Sequence, residues 1–361
     1  MSGRMTERIL LYVVSVAGAL LLSGVLVEAT GGDWRPVLDA LIEGSVTGNG
    51  RWGQTLAASA PMLLVALGTI ISGRAGLVNI GQEGQLLIGT AFAVYFGFRI
   101  GGPGPLNVVV LLVFGAIGGA AWAGIAGVLR FKRGVPEVLS TLLLVTVASQ
   151  AVAYGLKNQW LLLADEASRG NRNQVSAQLA EDNRLPEFHI FGNDIPFAVF
   201  LGAGAAVLLS FALTRTTWGF RLRMLGRNPR AAQRSGVSQT RFGLGAMLLS
   251  GAFAGLAGAA MLAGGGFLFG NYRLVPGFSA NIGWTGLLVA LVAREKALAA
   301  IPVAIVFGAL RTGSGFVGST GVESRITDVI QGFLVLSLLV PPAVMFVRER
   351  RRARSMRTAR T

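Results

Sequence analysis

Residues Leu106 to Leu129 read LNVVVLLVFGAIGGAAWAGIAGVL and are followed at once by Arg130, Phe131, Lys132 and Arg133. The run holds 24 residues and no ionisable side chain. At about 1.5 Å per residue it forms a helix of roughly 36 Å, longer than the ~30 Å hydrocarbon core of a bilayer. The basic cluster that ends it marks a water-facing boundary of the kind where Lys and Arg concentrate. Comparable apolar runs lie at about 9–27, 55–72, 80–98, 138–156, 195–213, 243–265 and 327–346. Two shorter ones, 281–293 and 297–310, are separated only by Arg294, Glu295 and Lys296, enough for a tight hairpin. The expectation is an all-α polytopic membrane protein of about ten transmembrane helices, a single transmembrane domain over 1–361, in which the two short runs cross or re-enter.

Composition agrees with a lipid environment. Of 361 residues, 52% are hydrophobic and 14% charged, where a soluble domain carries about 25% charged residues. The net charge of +15 would suggest nucleic acid on a soluble surface, but its placement argues for topology instead. With the N-terminus inside, the segments 1–8, 73–78, 130–137, 214–242, 294–296 and 347–361 hold 22 of the 32 basic residues and 4 of the 17 acidic ones. Both ends are then basic and cytoplasmic, which requires an even number of crossings. Arg4 and Arg8 ahead of the first run resemble a signal peptide, but the run is long and lacks a small-residue cleavage site, so a retained anchor is expected. The basic tail 347–361 is expected to touch anionic lipid head groups.

Several chemistries are excluded. The chain has no Cys and one His, His189, so thiol catalysis, disulfides and His-rich metal sites are out. Lys132, Lys157 and Lys296 are followed by Arg, Asn and Ala, so there is no phosphate-binding Gly-Lys-Ser/Thr loop. No nucleophile-base pair suggests an enzyme.

Two long outer segments, 28–54 and 157–194, are polar and net acidic, either docking faces or solvated loops. Within the spans, Gly115 with Gly119 and Gly251 with Gly255 give the small-residue spacing by which helices approach in lipid. The stretches Asn79-Ile80-Gly81-Gln82-Glu83-Gly84-Gln85-Leu86 and Asn281-Ile282-Gly283-Trp284-Thr285-Gly286-Leu287-Leu288 share the pattern N-I-G-x-x-G-x-L at the start of a span. Matching irregular segments of this kind meet near the midplane in many transporters. Polar groups are costly there, so Asn79, Gln82, Glu83 and Gln85, with Asn281 and Trp284, are candidates for the translocation path. Residues 79, 82, 83 and 86 would share one helical face. Glu83 either ties helices together or borders a water-filled path.

The inner segment 214–242 carries seven Arg and no acidic residue. Asn228 suits an N-cap, Pro229 the first helical position and Gly236 the left-handed residue after the end, which predicts a two-turn helix. A membrane protein without its own ATP site, presenting a short capped helix, suggests a socket for a separate motor. An interfacial helix held by anionic lipid is the alternative.

The stretches Gly76–Gln85, Val135–Thr141 and Gly226–Gly236 resemble the permease subunits of ABC importers for simple sugars and nucleosides, above all the branch served by basic-membrane-protein-type receptors, with branched-chain amino acid permeases as more distant relatives. The resemblance covers about residues 55 to 346. It implies a type II importer permease of a bacterial inner membrane, paired with a second, non-identical permease, with an ABC ATPase that binds ATP and magnesium, and with an external substrate-binding protein. No cofactor is then expected in this chain. The resemblance places the ATPase-coupling helix at Gly226, Asn228, Pro229, Arg230, Ala231, Ala232 and Gly236, with Arg230 standing where relatives favour an acidic or neutral residue. A secondary transporter driven by an ion gradient is the rival reading; it would need an intramembrane ion site at Glu83 or Asp328.

Overall fold

The computed structural model describes residues 2–164, 174–264 and 271–317, together with 329, 332, 333, 336, 337, 340, 341, 343–345, 347 and 348. Twelve α-helices are defined among these residues: α1 (Ser2–Ala29), α2 (Trp34–Ile42), α3 (Arg51–Arg74), α4 (Gln82–Ile100), α5 (Gly104–Arg133), α6 (Glu137–Gly155), α7 (Phe197–Arg215), α8 (Thr217–Arg227), α9 (Pro229–Arg234), α10 (Gln239–Gly264), α11 (Ile282–Val292) and α12 (Ala297–Val317). Nine of the ten expected spans coincide with a helix. The tenth, 327–346, is helical at each described position. Six helices, α3, α5, α6, α7, α10 and α12, are both long and apolar enough to cross a bilayer. The chain is a multi-pass membrane protein.

The two short spans resolve differently. α12 extends to 21 residues and is long and apolar enough to cross. α11 has 11 residues, which at ~1.5 Å each covers about half of the hydrocarbon core. The turn between them is as tight as expected, with Arg294 and Glu295 both at positive φ.

The chain divides into two compact units, one of residues 1–55 and 307–361, the other of 56–306. In the first, Ala19 and Val27 of α1, Val37, Ala40 and Leu41 of α2, and Val317 form one apolar cluster. The outer segment 28–54 is therefore not a plain loop. Asp33 caps α2 by accepting the Arg35 N–H at 3.0 Å, and the apolar side of α2 is buried. A π-helical turn, Glu43–Thr47, follows directly.

The core of the larger unit is a close-packed trio, α4, α5 and α10. Glycines set its spacing: a Cβ on Gly119 would collide with the Gly251 carbonyl, one on Gly255 with the Gly115 carbonyl, and one on Gly89 with the Gly255 backbone. The two GxxxG pairs thus face each other. In lipid this near-backbone contact supplies the dispersion energy that the hydrophobic effect supplies in water.

The outer segment 157–194 departs furthest from an all-helical reading. It folds into an antiparallel hairpin, β1 (Glu187–Ile190) and β2 (Asn193–Pro196). Ahead of the hairpin the chain is knitted to residues 271–274. The Ser176 N–H donates to the Leu274 carbonyl at 3.0 Å, and the Leu179 N–H to that of Tyr272 at 3.0 Å. Leu179 and Leu185 are buried. The Arg184 guanidinium lies 4.0 Å over the Tyr272 ring. Burial, and then the neighbouring Glu187 carboxylate, push the Tyr272 phenol above its ordinary value.

Candidate functional site

Between α3 and α4 the backbone is irregular, and Asn79 stands three residues ahead of α4. It therefore shares no helical face with Gln82 and Glu83, contrary to the spacing argument. The reason is local. The Asn79 side chain accepts the Gly81 N–H at 3.0 Å, closing an Asx turn that competes with helix.

The polar residues of this link are tied to several helices. Asn79 and Gln85 exchange a reciprocal pair of amide hydrogen bonds, 2.9 Å each. Asn79 Nδ2 and Gln82 Nε2 each donate to Ser250 Oγ of α10 at 2.9 Å. Gln82 Nε2 also reaches Thr69 Oγ1 of α3 at 3.2 Å. Gln82 Oε1 is buried and has no hydrogen-bond partner among the described residues. Ser250 and Thr69 were not singled out from sequence. Ser250 is nonetheless the only hydroxyl between Gly243 and Gly264, and in an apolar span that is the signal to follow.

Glu83 is 6% exposed and points away from this network. Its Oε2 accepts the Gly283 N–H at 2.6 Å, and its Oε1 the Asn281 N–H at 3.1 Å. The two similar stretches therefore meet. A carboxylate from the first caps the N-terminus of α11, begun by the second, where free N–H groups and the helix dipole favour negative charge. A Cβ on Gly283 would collide with the Glu83 backbone, so glycine is required there for approach. The two stretches are alike in sequence but not in backbone. Ala280 and Asn281 are left-handed, with φ of 43° and 64°, and Asn79 is not. Asn281 is exposed, and Trp284 is half-buried on α11.

The Val135–Thr141 stretch is the corner before α6. Gly134 is left-handed and closes α5, and Arg130 pairs with Glu137 at 3.1 Å. Thr141 Oγ1 lies 3.4 Å from the Ile80 N–H and so touches the same irregular link.

The basic inner segment forms a corner, α8 then α9. Asn228 accepts the Ala231 N–H at 3.1 Å, Pro229 opens α9, and Gly236 is left-handed with φ of 80°. All three assignments made from sequence hold. Ala232 is buried with Leu225 and Val237, while Arg227, Pro229, Arg230, Ala231 and Arg234 are exposed. A cavity of about 350 Å³, lined by Phe220, Arg223, Met224, Arg227 and Asn228, opens beside the cap. Gly226 is half-buried behind this exposed face. A Cβ there would collide with the Arg74 carbonyl, and one on Gly76 would lie 3.0 Å from the Gly226 Cα. Arg74 in turn donates from Nη2 and Nε to the Glu295 carbonyl, at 2.6 and 3.2 Å. The corner, the end of α3 and the turn after α11 thus touch in series.

A family model described as branched-chain amino acid transport system, permease component, matches residues 53–339. The Guanosine ABC transporter permease protein NupP of Bacillus subtilis (strain 168) is 31% identical over 298 residues, 82% of each chain. The Glucose ABC transporter permease protein TsgB13 of Haloferax volcanii is 30% identical over 337 residues, 91% of this chain and 86% of its own. The Guanosine ABC transporter permease protein NupQ, also of Bacillus subtilis, is 30% identical over 211 residues, 56% of this chain and 64% of its own.

Proposed function

We propose that this chain, which belongs to the family of branched-chain amino acid transport system permease components, lines the path of an ATP-driven importer for a nucleoside or simple sugar. The observation that carries the reading is full-length likeness to permeases named for guanosine and glucose. The exposed, capped α9 supports it, because a chain without a nucleotide-binding loop needs a contact for a separate ATPase that holds ATP and magnesium. The pair of guanosine permeases in one organism supports a second, non-identical permease. An external binding protein would deliver the solute, and both termini would face the cytoplasm of a bacterial inner membrane. The whole chain would act as one permease domain.

In this reading Asn228, Pro229, Arg230, Ala231 and Ala232 form the coupling helix, with the neighbouring cavity receiving side chains of the ATPase. Gly226 passes its displacement to Gly76 and the irregular link. Glu83 then carries it to α11, so the bundles rock between outward-facing and inward-facing states. Asn79 and Gln85 serve as glue, since their amides are spent on each other. Asn281, which is exposed, and Trp284, which is half-buried, remain available to a solute. The ion-gradient alternative finds little support, because both oxygens of Glu83 already accept backbone N–H groups. Its other candidate, Asp328, lies outside the described residues.

Mild-detergent purification from native membranes tests the assembly. An ABC ATPase and a second permease are expected in stoichiometric amounts. Recovery of this chain alone, under conditions that preserve other ABC complexes, would overturn the proposal.

A further inference from the structure

The β1–β2 hairpin is two-faced. Its register pairs Phe188 with Ile195 and His189 with Asp194. Alternation along the strands therefore puts Phe188, Ile190 and Ile195, with Asn193, on one mainly apolar side, and Glu187, His189 and Asp194, with Pro196, on the other. The polar side is internally satisfied. His189 Nδ1 and Asp194 Oδ1 are 2.8 Å apart across the strands, and the Glu187 carboxylate neighbours the Tyr272 phenol. The apolar side leans on α7: the Phe188 ring centroid is 5.5 Å from that of Phe200, edge-on, and 6.5 Å from that of Phe197.

Exposed apolar side chains continue from there along α7. Phe197, Phe200, Val207, Leu208 and Phe211 recur at helical spacing down α7, and all are exposed. α7 is long and apolar enough to cross a bilayer, which makes that stripe a surface suited to lipid. At the other end of the hairpin stands Phe191, 97% exposed. It occupies a two-residue turn with Gly192, at φ of 49° and 74°. Such turns favour Asn-Gly, and a bulky aromatic in the left-handed region is an outlier. In water that placement has neither a conformational nor a solvation advantage. At a membrane interface the aromatic ring has both a reason and a partner.

We propose that the hairpin is a membrane-interface anchor, with Phe191 and the Phe188–Ile190–Ile195 side set into the lipid around the N-terminal end of α7. The occupant of this surface is then lipid, not a protein. The inference depends on α7 crossing the bilayer and not on what the chain transports.

The chain contains no cysteine, so single-cysteine variants can be spin-labelled without background. Phe191→Cys, Ile190→Cys, His189→Cys and, as a lipid-facing control, Leu208→Cys would be labelled in the full chain. Each would be reconstituted into phosphatidylethanolamine–phosphatidylglycerol vesicles. Ile190→Cys keeps the Phe191 ring in place and guards against loss of the anchor itself. The expected result is loss of collision with a water-soluble nickel chelate, and gain of collision with dissolved oxygen, at 190 and 191 as at 208, with the reverse at 189. Equal chelate access at 189, 190 and 191 would overturn the proposal. Shielding at 191 from both reagents, or only after the external binding protein is added, would assign the surface to a protein partner and overturn it too.

Discussion

Glu83→Ala is expected to reduce uptake to background while the protein still inserts and assembles. The carboxylate satisfies two backbone N–H groups at the start of α11. The Gly283 N–H is buried, and orphaning it costs about 1–3 kcal/mol, while the N–H of the exposed Asn281 adds less because water can replace its acceptor. Lost compensation of the helix dipole adds to this. α11 is too short to hold its place by length alone, and its N-terminus should fray. Glu83→Gln retains one acceptor and should lie between the variant and the native protein. Initial uptake rate, paired with a thermal-shift measurement on the purified assembly, separates two roles. A fall in uptake with little change in assembly identifies a gate support. A parallel fall in both would leave only structural glue, and unchanged uptake would remove Glu83 from the account.

Substitution of Asn228 by Ala together with Pro229 by Gly should separate ATP hydrolysis from transport. Loss of the cap costs about 1 kcal/mol, and loss of the pre-set proline φ a further ~0.4–1 kcal/mol. Since about 1.4 kcal/mol is tenfold in a population, a six-residue helix held inward mainly by Ala232 would be largely unwound. The expected outcome in reconstituted vesicles is at least half-native ATPase turnover with uptake reduced about tenfold or more. Native uptake in this double variant would sink the coupling assignment. Gly226→Ala probes the same route one step inward, because its Cβ would displace the Arg74–Gly76 turn.

What the sequence disclosed and what it withheld follow from the range of the forces involved. The helices of the spans before 318, the Asn228 cap, the Gly236 stop and the close-packed glycine pairs rest on local or periodic signals, and each is found where those signals put it. The meeting of Glu83 with Asn281 and Gly283 was legible only as a shared pattern, because the contact joins residues 200 positions apart. Asn79 was placed on a helical face because period alone was read. Its side chain instead closes a turn onto Gly81, a competition that spacing does not register. The hairpin at 187–196 escaped because two four-residue strands in a polar, charged segment give too short an alternation to stand out. α2 was missed for the opposite reason: one amphipathic helix in a segment taken as a loop was outweighed by the charges around it.

The most direct test of the account is the energy source for uptake. This chain would be co-reconstituted with an ABC ATPase and a second permease, and radiolabelled guanosine and glucose, in parallel, presented with an external binding protein on the side opposite the ATPase. Uptake should require ATP and magnesium on the ATPase side and persist when proton and sodium gradients are collapsed. Uptake that continues without ATP, and stops when those gradients are dissipated, would contradict it.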